Sequence, residues 1–178
     1  MVKRRLRLGL LICSLAIGAG LAAWLVIWGS EILNRRKCAS NLSAIGQVIL
    51  LYANGHLGKY PPDLGTLAKE EDVAVEVFVC PSSRTRIPPN LSWPQSYAWV
   101  NFNSDYVYLG PDIPAGSQSR VVVAYEKLED HHGDGINVLF QDGTVRFFAH
   151  DEALKIISQL NAQINPPSIE SDGKQYYP

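Results

Sequence analysis

Residues 8–29 form an uncharged, predominantly apolar run of 22 positions with no proline. As a helix rising 1.5 Å per residue it is about 33 Å long, which matches a bilayer's hydrocarbon thickness of roughly 30 Å. The pattern then changes from uniformly apolar to amphipathic: Cys38, Leu42, Ile45, Ile49 and Tyr52 recur at steps of four, three, four and three, the spacing of one helix face. One long helix is predicted, half in a membrane and half outside it, ending near Asn54-Gly55. Trp24 and Trp28 fall where an interfacial aromatic belt is expected.

Beyond the helix, Tyr60-Pro61-Pro62 forces an extended turn, and Asp63 is placed to cap a short helix over 64–69. Residues 73–79 read as a short extended segment ending at Cys80-Pro81. A Pro- and Ser-rich loop over 82–95 leads to strand-like 96–100, then 106–109 and a β-branched strand over 120–125. Asp142-Gly143 between two apolar runs signals a hairpin with a two-residue turn. That turn sets Phe140 against Val145, Val138 against Phe147 and Ile136 against Ala149, six apolar residues on one face for the 38–52 stripe to cover. The other face is mixed, with Asn137, Leu139, Gln141, Thr144, Arg146 and Phe148. Asp151 is placed to cap a last helix with Leu154, Ile157, Leu160 and Ile164 on one side, ended by Pro166-Pro167. Residues 166–178 lack periodicity and read as a flexible tail. The fold class expected is α+β, a long N-terminal helix on a small antiparallel sheet with a C-terminal helix. Residues 30–165 make one domain large enough for a core.

A cleavable signal peptide competes with the anchor, because Lys3, Arg4, Arg5 and Arg7 precede the run and small residues occur within it. The apolar stretch nevertheless outruns the roughly 7–15 residues of a signal h-region. Basic residues flank both ends, with Arg35, Arg36 and Lys37 partly offset by Glu31, and a slight excess favours residues 1–7 as a cytoplasmic tail. Without that tail, twelve basic residues face seventeen acidic ones, a charge of −5 that disfavours a nucleic-acid partner. Cys13 lies in the span, leaving Cys38 and Cys80 outside it, the number one disulfide needs. Closing that loop would stabilise by roughly 4 kcal/mol, in an oxidising compartment only. The alternative is two buried free thiols.

Several ordered pieces resemble one family. They are Arg35-Arg36-Lys37-Cys38-Ala39-Ser40-Asn41-Leu42-Ser43-Ala44-Ile45-Gly46, Tyr52, Tyr60-Pro61-Pro62, Phe78-Val79-Cys80-Pro81-Ser82, Ala124-Tyr125-Glu126, and His132 followed after nine residues by Asp142-Gly143. Together they resemble bacterial type IV pilin-like proteins, in particular the pseudopilin-like H-x9-DG group that includes DUF1559-type proteins. The resemblance implies a pilin-like head on a single-pass inner-membrane anchor, N-terminus cytoplasmic and head periplasmic, with other pilin-like or secretion-system subunits as partners. It departs from the family after Gly9, where Ser14 stands in place of the Glu expected as the fifth mature residue.

For chemistry, His131 and His132 read first as a polar loop or a hydrogen-bonded structural histidine, with no cofactor expected; the alternative is that they act with Asp134, and Glu126 before them, as ligands for zinc or calcium. Asp142 belongs to the turn instead, some 20 Å from His132 along a strand rising roughly 3.3 Å per residue. Trp93, Tyr97, Trp99, Tyr106 and Tyr108 are candidates for a ligand-stacking surface or for core packing. No Ser, Cys or Lys lies in an activating motif, so no enzyme is expected. The function anticipated is protein–protein interaction in a type II secretion or type IV pilus-like system. Its alternatives are an anchored glycan- or peptide-binding module and a metal-dependent enzyme.

Overall fold

The computed structural model describes residues 2–113, 119–169 and 174–175, with side chains at 16–111, 113 and 119–169. The chain divides into two units, Met1–Leu33 and Asn34–Pro178.

The first unit belongs to helix α1 (Val2–Gly55), which is long and apolar enough to cross a membrane. A core helix of a soluble protein would bury its apolar side chains. Here Ile17, Leu21, Trp24, Leu25, Val26, Ile27 and Trp28 are 56 to 71% exposed. Trp24 and Trp28, one turn apart, stack with ring centroids 6.3 Å apart.

The second unit is α+β. Its sheet is an antiparallel meander in which β1 (Tyr106–Tyr108), β2 (Val122–Glu126), β3 (Gly135–Phe140) and β4 (Val145–Ala149) lie side by side in chain order, and the two-residue β5 (Lys174–Gln175) flanks β4. The α1 stripe is buried as its spacing predicts, with Cys38, Leu42 and Ile45 at 0% exposure and Ile49 and Tyr52 nearly so. It packs on Val123, Ala124, Leu139 and Val145, together with α2 (Leu64–Glu70) and α3 (Trp93–Asn103). The opposite face, carrying Val122, Tyr125, Ile136, Val138, Phe140 and Phe148, is covered by Ala153, Ile156 and Leu160 of α4 (His150–Asn161). A bulge between Val122 and Ala124 turns two successive residues, Val123 and Ala124, toward α1.

The hairpin register differs from the one expected. Leu139 opposes Val145, Asn137 opposes Phe147 and Ile136 opposes Phe148. The loop has three residues, closed by Phe140 N donating to Thr144 O and Gly143 N donating to Phe140 O, both 2.9 Å. The cause is Asp142, whose Oδ1 captures both the amide and the hydroxyl of Thr144 while Gly143 takes a φ of +84°. This is the glycine bulge of a three-residue hairpin, and it shifts β4 by one position. Asn137, Leu139, Val145 and Phe147 therefore lie on the α1 side. The face rich in apolar residues belongs to α4.

Three further expectations are corrected. Residues 96–100 are helical, part of α3, because Ser92 caps that helix, with its N and Oγ both donating to Gln95 Oε1, and Pro94 sits in the first turn. Val75–Phe78 is a 3-10 turn rather than an extended segment. In α4 the buried side is Ala153, Ile156 and Leu160, leaving Leu154 45% and Ile164 51% exposed, and Asp151 lies in the first turn behind the cap residue Ala149. Of the 166–178 tail, Ser168 N donates to Gln159 Oε1 and Lys174–Gln175 pairs with β4; 170–173 and 176–178 lie outside the described residues.

Asp63 caps α2 as expected, its Oδ1 accepting from Thr66 N at 2.6 Å. Partial burial opposes its charge, but the Thr66 amide and hydroxyl, Asn101 and the Gly65 amide outweigh it and hold the carboxyl below the ordinary 3.8. Asp63→Ala is expected to cost about 1 kcal/mol in denaturant unfolding. With the folded pKa lowered, this contribution is complete above the unfolded value and fades as pH falls through the folded one. Wild type and variant should therefore converge in stability toward acid pH, with the full difference restored at neutrality.

A buried cluster of two thiols, a carboxylate and an imidazole

Four segments meet beneath α1. Cys38 comes from the buried stripe of α1 and Glu126 from the end of β2. Cys80 follows the 3-10 turn, and His131 lies in the β2–β3 connection. All four side chains are buried, and their ligand atoms lie within 4.8 Å of one another. His131 Nε2 is 3.4 Å from Cys80 Sγ and 3.4 Å from Glu126 Oε1.

Each residue is held from outside the cluster. The Cys80 turn wraps the Asp105 carboxylate, which accepts from Cys80 N (2.9 Å), Ser83 Oγ (2.6 Å) and Thr85 Oγ1 (2.6 Å). Asn41 Nδ2 donates to Val79 O and so ties this turn to α1. Glu126 Oε2 accepts from Asn137 N at 2.6 Å, and its Oε1 from Asn137 Nδ2 at 3.1 Å. The same amide nitrogen donates to Arg35 O on α1.

His131 reaches inward from an unusual backbone. His131 and His132 both have left-handed φ, +53° and +58°, followed by Gly133 at +79°. Such conformations cost on the order of 1 kcal/mol or more for a residue with a side chain, and they persist where surrounding contacts enforce them. The turn is enforced by His131 O accepting from Asp134 N, and by His150, whose backbone N donates to Asp134 O and whose Nδ1 lies 2.6 Å from Gly133 O.

The cluster's protonation follows from these contacts. Cys38 lowers the Cys80 thiol to about 6 by hydrogen bonding, working against burial and assisted by His131. Burial holds the Cys38 thiol far above its ordinary value. Burial alone would lower His131, but Cys80 and Glu126 raise it to about 11. At neutral pH Cys80 and His131 therefore form a thiolate–imidazolium pair beside the Cys38 thiol. A Cys–His pair of this kind is nucleophilic where a substrate reaches it. Here Cys80 is 1% exposed and His131 and Glu126 are wholly buried, so the chemistry open to the cluster is sulfur–sulfur bonding or ligation of an ion.

The other candidate ligands sit elsewhere. His132 lines an outer polar cavity of about 600 Å³ with Ser82, Arg84, Lys127 and Glu129. Asp134 is 58% exposed and paired with Arg35. The aromatic candidates do not form one surface: Trp93 is exposed and tilted against Tyr97, and Tyr97, Trp99 and Tyr108 pack at the edge of the core. Tyr106 lies inside it. Tyr108 donates its hydroxyl to Pro61 O. Asp142 and Gly143 form the hairpin turn.

Sequence reasoning placed His131 and Glu126 in a metal cluster and Cys38 and Cys80 in a separate pair. The structure joins the two pairs. The signal available in the sequence was Cys38 itself, a ligand-bearing residue at the head of a stripe that must face the sheet. The chain matches no family model, no curated protein and no solved structure.

Proposed function

We propose that this chain is a membrane-anchored, pseudopilin-like protein that works by protein–protein contact in a type II secretion or type IV pilus-like system. It has a single span, a cytoplasmic N-terminus and its head in the periplasm of a bacterial inner membrane. The observation that carries this reading is the division of labour along α1. Apolar side chains from Ile17 to Trp28 are uncovered, while Cys38 to Tyr52 form the spine of an antiparallel sheet domain. A helix that serves as span and core at once, preceding an α+β head, is the arrangement that the ordered motifs from Arg35 to Asp142-Gly143 imply by resemblance. Contact rather than turnover is favoured because the Cys80–His131 pair, a nucleophile beside a base, is sealed from solvent.

The test is photo-crosslinking in native membranes from a probe at Leu21, which is 58% exposed. The expected products are adducts with other single-span subunits carrying a pilin-like head. Adducts with lipid alone, together with purification of the chain as an isolated species, would reject the assembly role.

A further inference from the structure

We propose that Cys38, Cys80, Glu126 and His131 form a closed structural site for one zinc ion, which fastens α1 to the sheet. The proposal is independent of the assembly role, since it concerns the head's own core.

Geometry is the first support. With bonds of about 2.3 Å to sulfur and about 2.1 Å to nitrogen or oxygen, a tetrahedral zinc site has N···S edges of about 3.6 Å and N···O edges of about 3.4 Å. The His131–Cys80 and His131–Glu126 separations are both 3.4 Å. All four donor atoms fall within 4.8 Å of one another.

Composition of the donor set is the second. Two sulfurs, one imidazole nitrogen and one carboxylate oxygen suit zinc and exclude calcium or magnesium, which take oxygen ligands. Four protein donors fill the tetrahedron and leave no open position, the mark of a structural site rather than a catalytic one.

The surroundings are the third. Asn137 grips both oxygens of Glu126, the outer hydrogen bonding that orients a metal-bound carboxylate. The Tyr106 hydroxyl is buried within hydrogen-bonding reach of Cys38, in place to donate to a Cys38 thiolate. A disulfide between Cys38 and Cys80 would account for the two sulfurs. It would leave unexplained why a carboxylate and an imidazole, both fully buried, converge on them across a left-handed turn.

The ligands come from segments far apart in sequence, so the site does not exist in the unfolded chain and ion binding becomes folding free energy. Removing zinc is therefore expected to loosen the contact between α1 and the β2–β3 connection.

The test uses the full chain, purified in detergent without chelator. Elemental analysis is expected to find about one zinc per chain, as a single four-ligand site requires. Cys80→Ser and His131→Ala should abolish it, His132→Ala and Asp134→Ala should keep it, and Asn137→Ala should weaken zinc affinity by about 10–100-fold. Should the ligand variants fail to fold, cobalt(II) exchanged into the wild-type protein decides the matter. Thiolate-to-cobalt charge transfer with intense tetrahedral d–d bands supports the site, and their absence rejects it. Wild-type protein without stoichiometric metal overturns the proposal, whether intact mass shows a Cys38–Cys80 disulfide or two free thiols. So does zinc that persists at full occupancy in Cys80→Ser.

Discussion

Replacing Ile17 and Leu21 together by arginine is expected to release the chain from membranes. The two residues lie one turn apart near the middle of the 8–29 run, and both are largely uncovered by protein, at 64 and 58% exposure. An arginine at the centre of a spanning helix costs about 2.5–3.5 kcal/mol on insertion, so the pair costs about 5–7 kcal/mol. The 8–29 run carries no acidic residue to pair with these charges. Alkaline carbonate extraction checks the expectation: the wild-type chain should stay in the pellet and the double variant should leave it. A wild-type chain extracted into the supernatant, with an intact mass lacking the N-terminal run, would show instead that the run is a cleaved signal sequence.

Phe148→Ala is expected to destabilise the head by about 3–5 kcal/mol, the range for deleting a buried aromatic ring. Phe148 is 1% exposed on the α4 side, edge-on to Phe140 with ring centroids 6.2 Å apart, and shares a cluster with Ile136 and Ile156. Its value as a test comes from the register. A two-residue turn would place Phe148 on the opposite face from Phe140 and Ile136, whereas the three-residue loop brings all three together. Urea unfolding of the full chain in micelles reports the difference. Phe102→Ala, at a residue 87% exposed, serves as the comparison and should change stability by no more than about 0.5 kcal/mol. Equal losses at the two positions would rule out the observed register.

The parts of this fold that were readable in advance are those decided by one period or one local bond. The stripe from Cys38 to Tyr52 repeats with helical spacing and is buried as a unit. Asp63 followed by Leu64 announces its own cap. Where two local signals compete, the outcome rests on contacts that a dipeptide does not contain. Asp142-Gly143 marks the turn, but its length is decided by Asp142 Oδ1 seizing Thr144, and that single residue moves every pair in the hairpin. Residues 96–100 look like a strand until Ser92, Pro94 and Gln95 are weighed as a helix start, after which the apolar positions fall inside α3. The buried cluster was half visible. The sequence marks His131 and Glu126 as one group and Cys38 and Cys80 as another, but left-handed φ at His131 follows from no spacing rule, and it is this turn that carries the ring to the cysteines.

The meander ends on one side in β1, a strand of three residues followed at once by a 3-10 turn at Gly110–Asp112. So short an edge offers few free amides and carbonyls as a template for a foreign strand. This edge is therefore a poor place for copies of the head to stitch themselves together through their backbones. Association through this side of the sheet would have to be written in side chains, where single substitutions can adjust it.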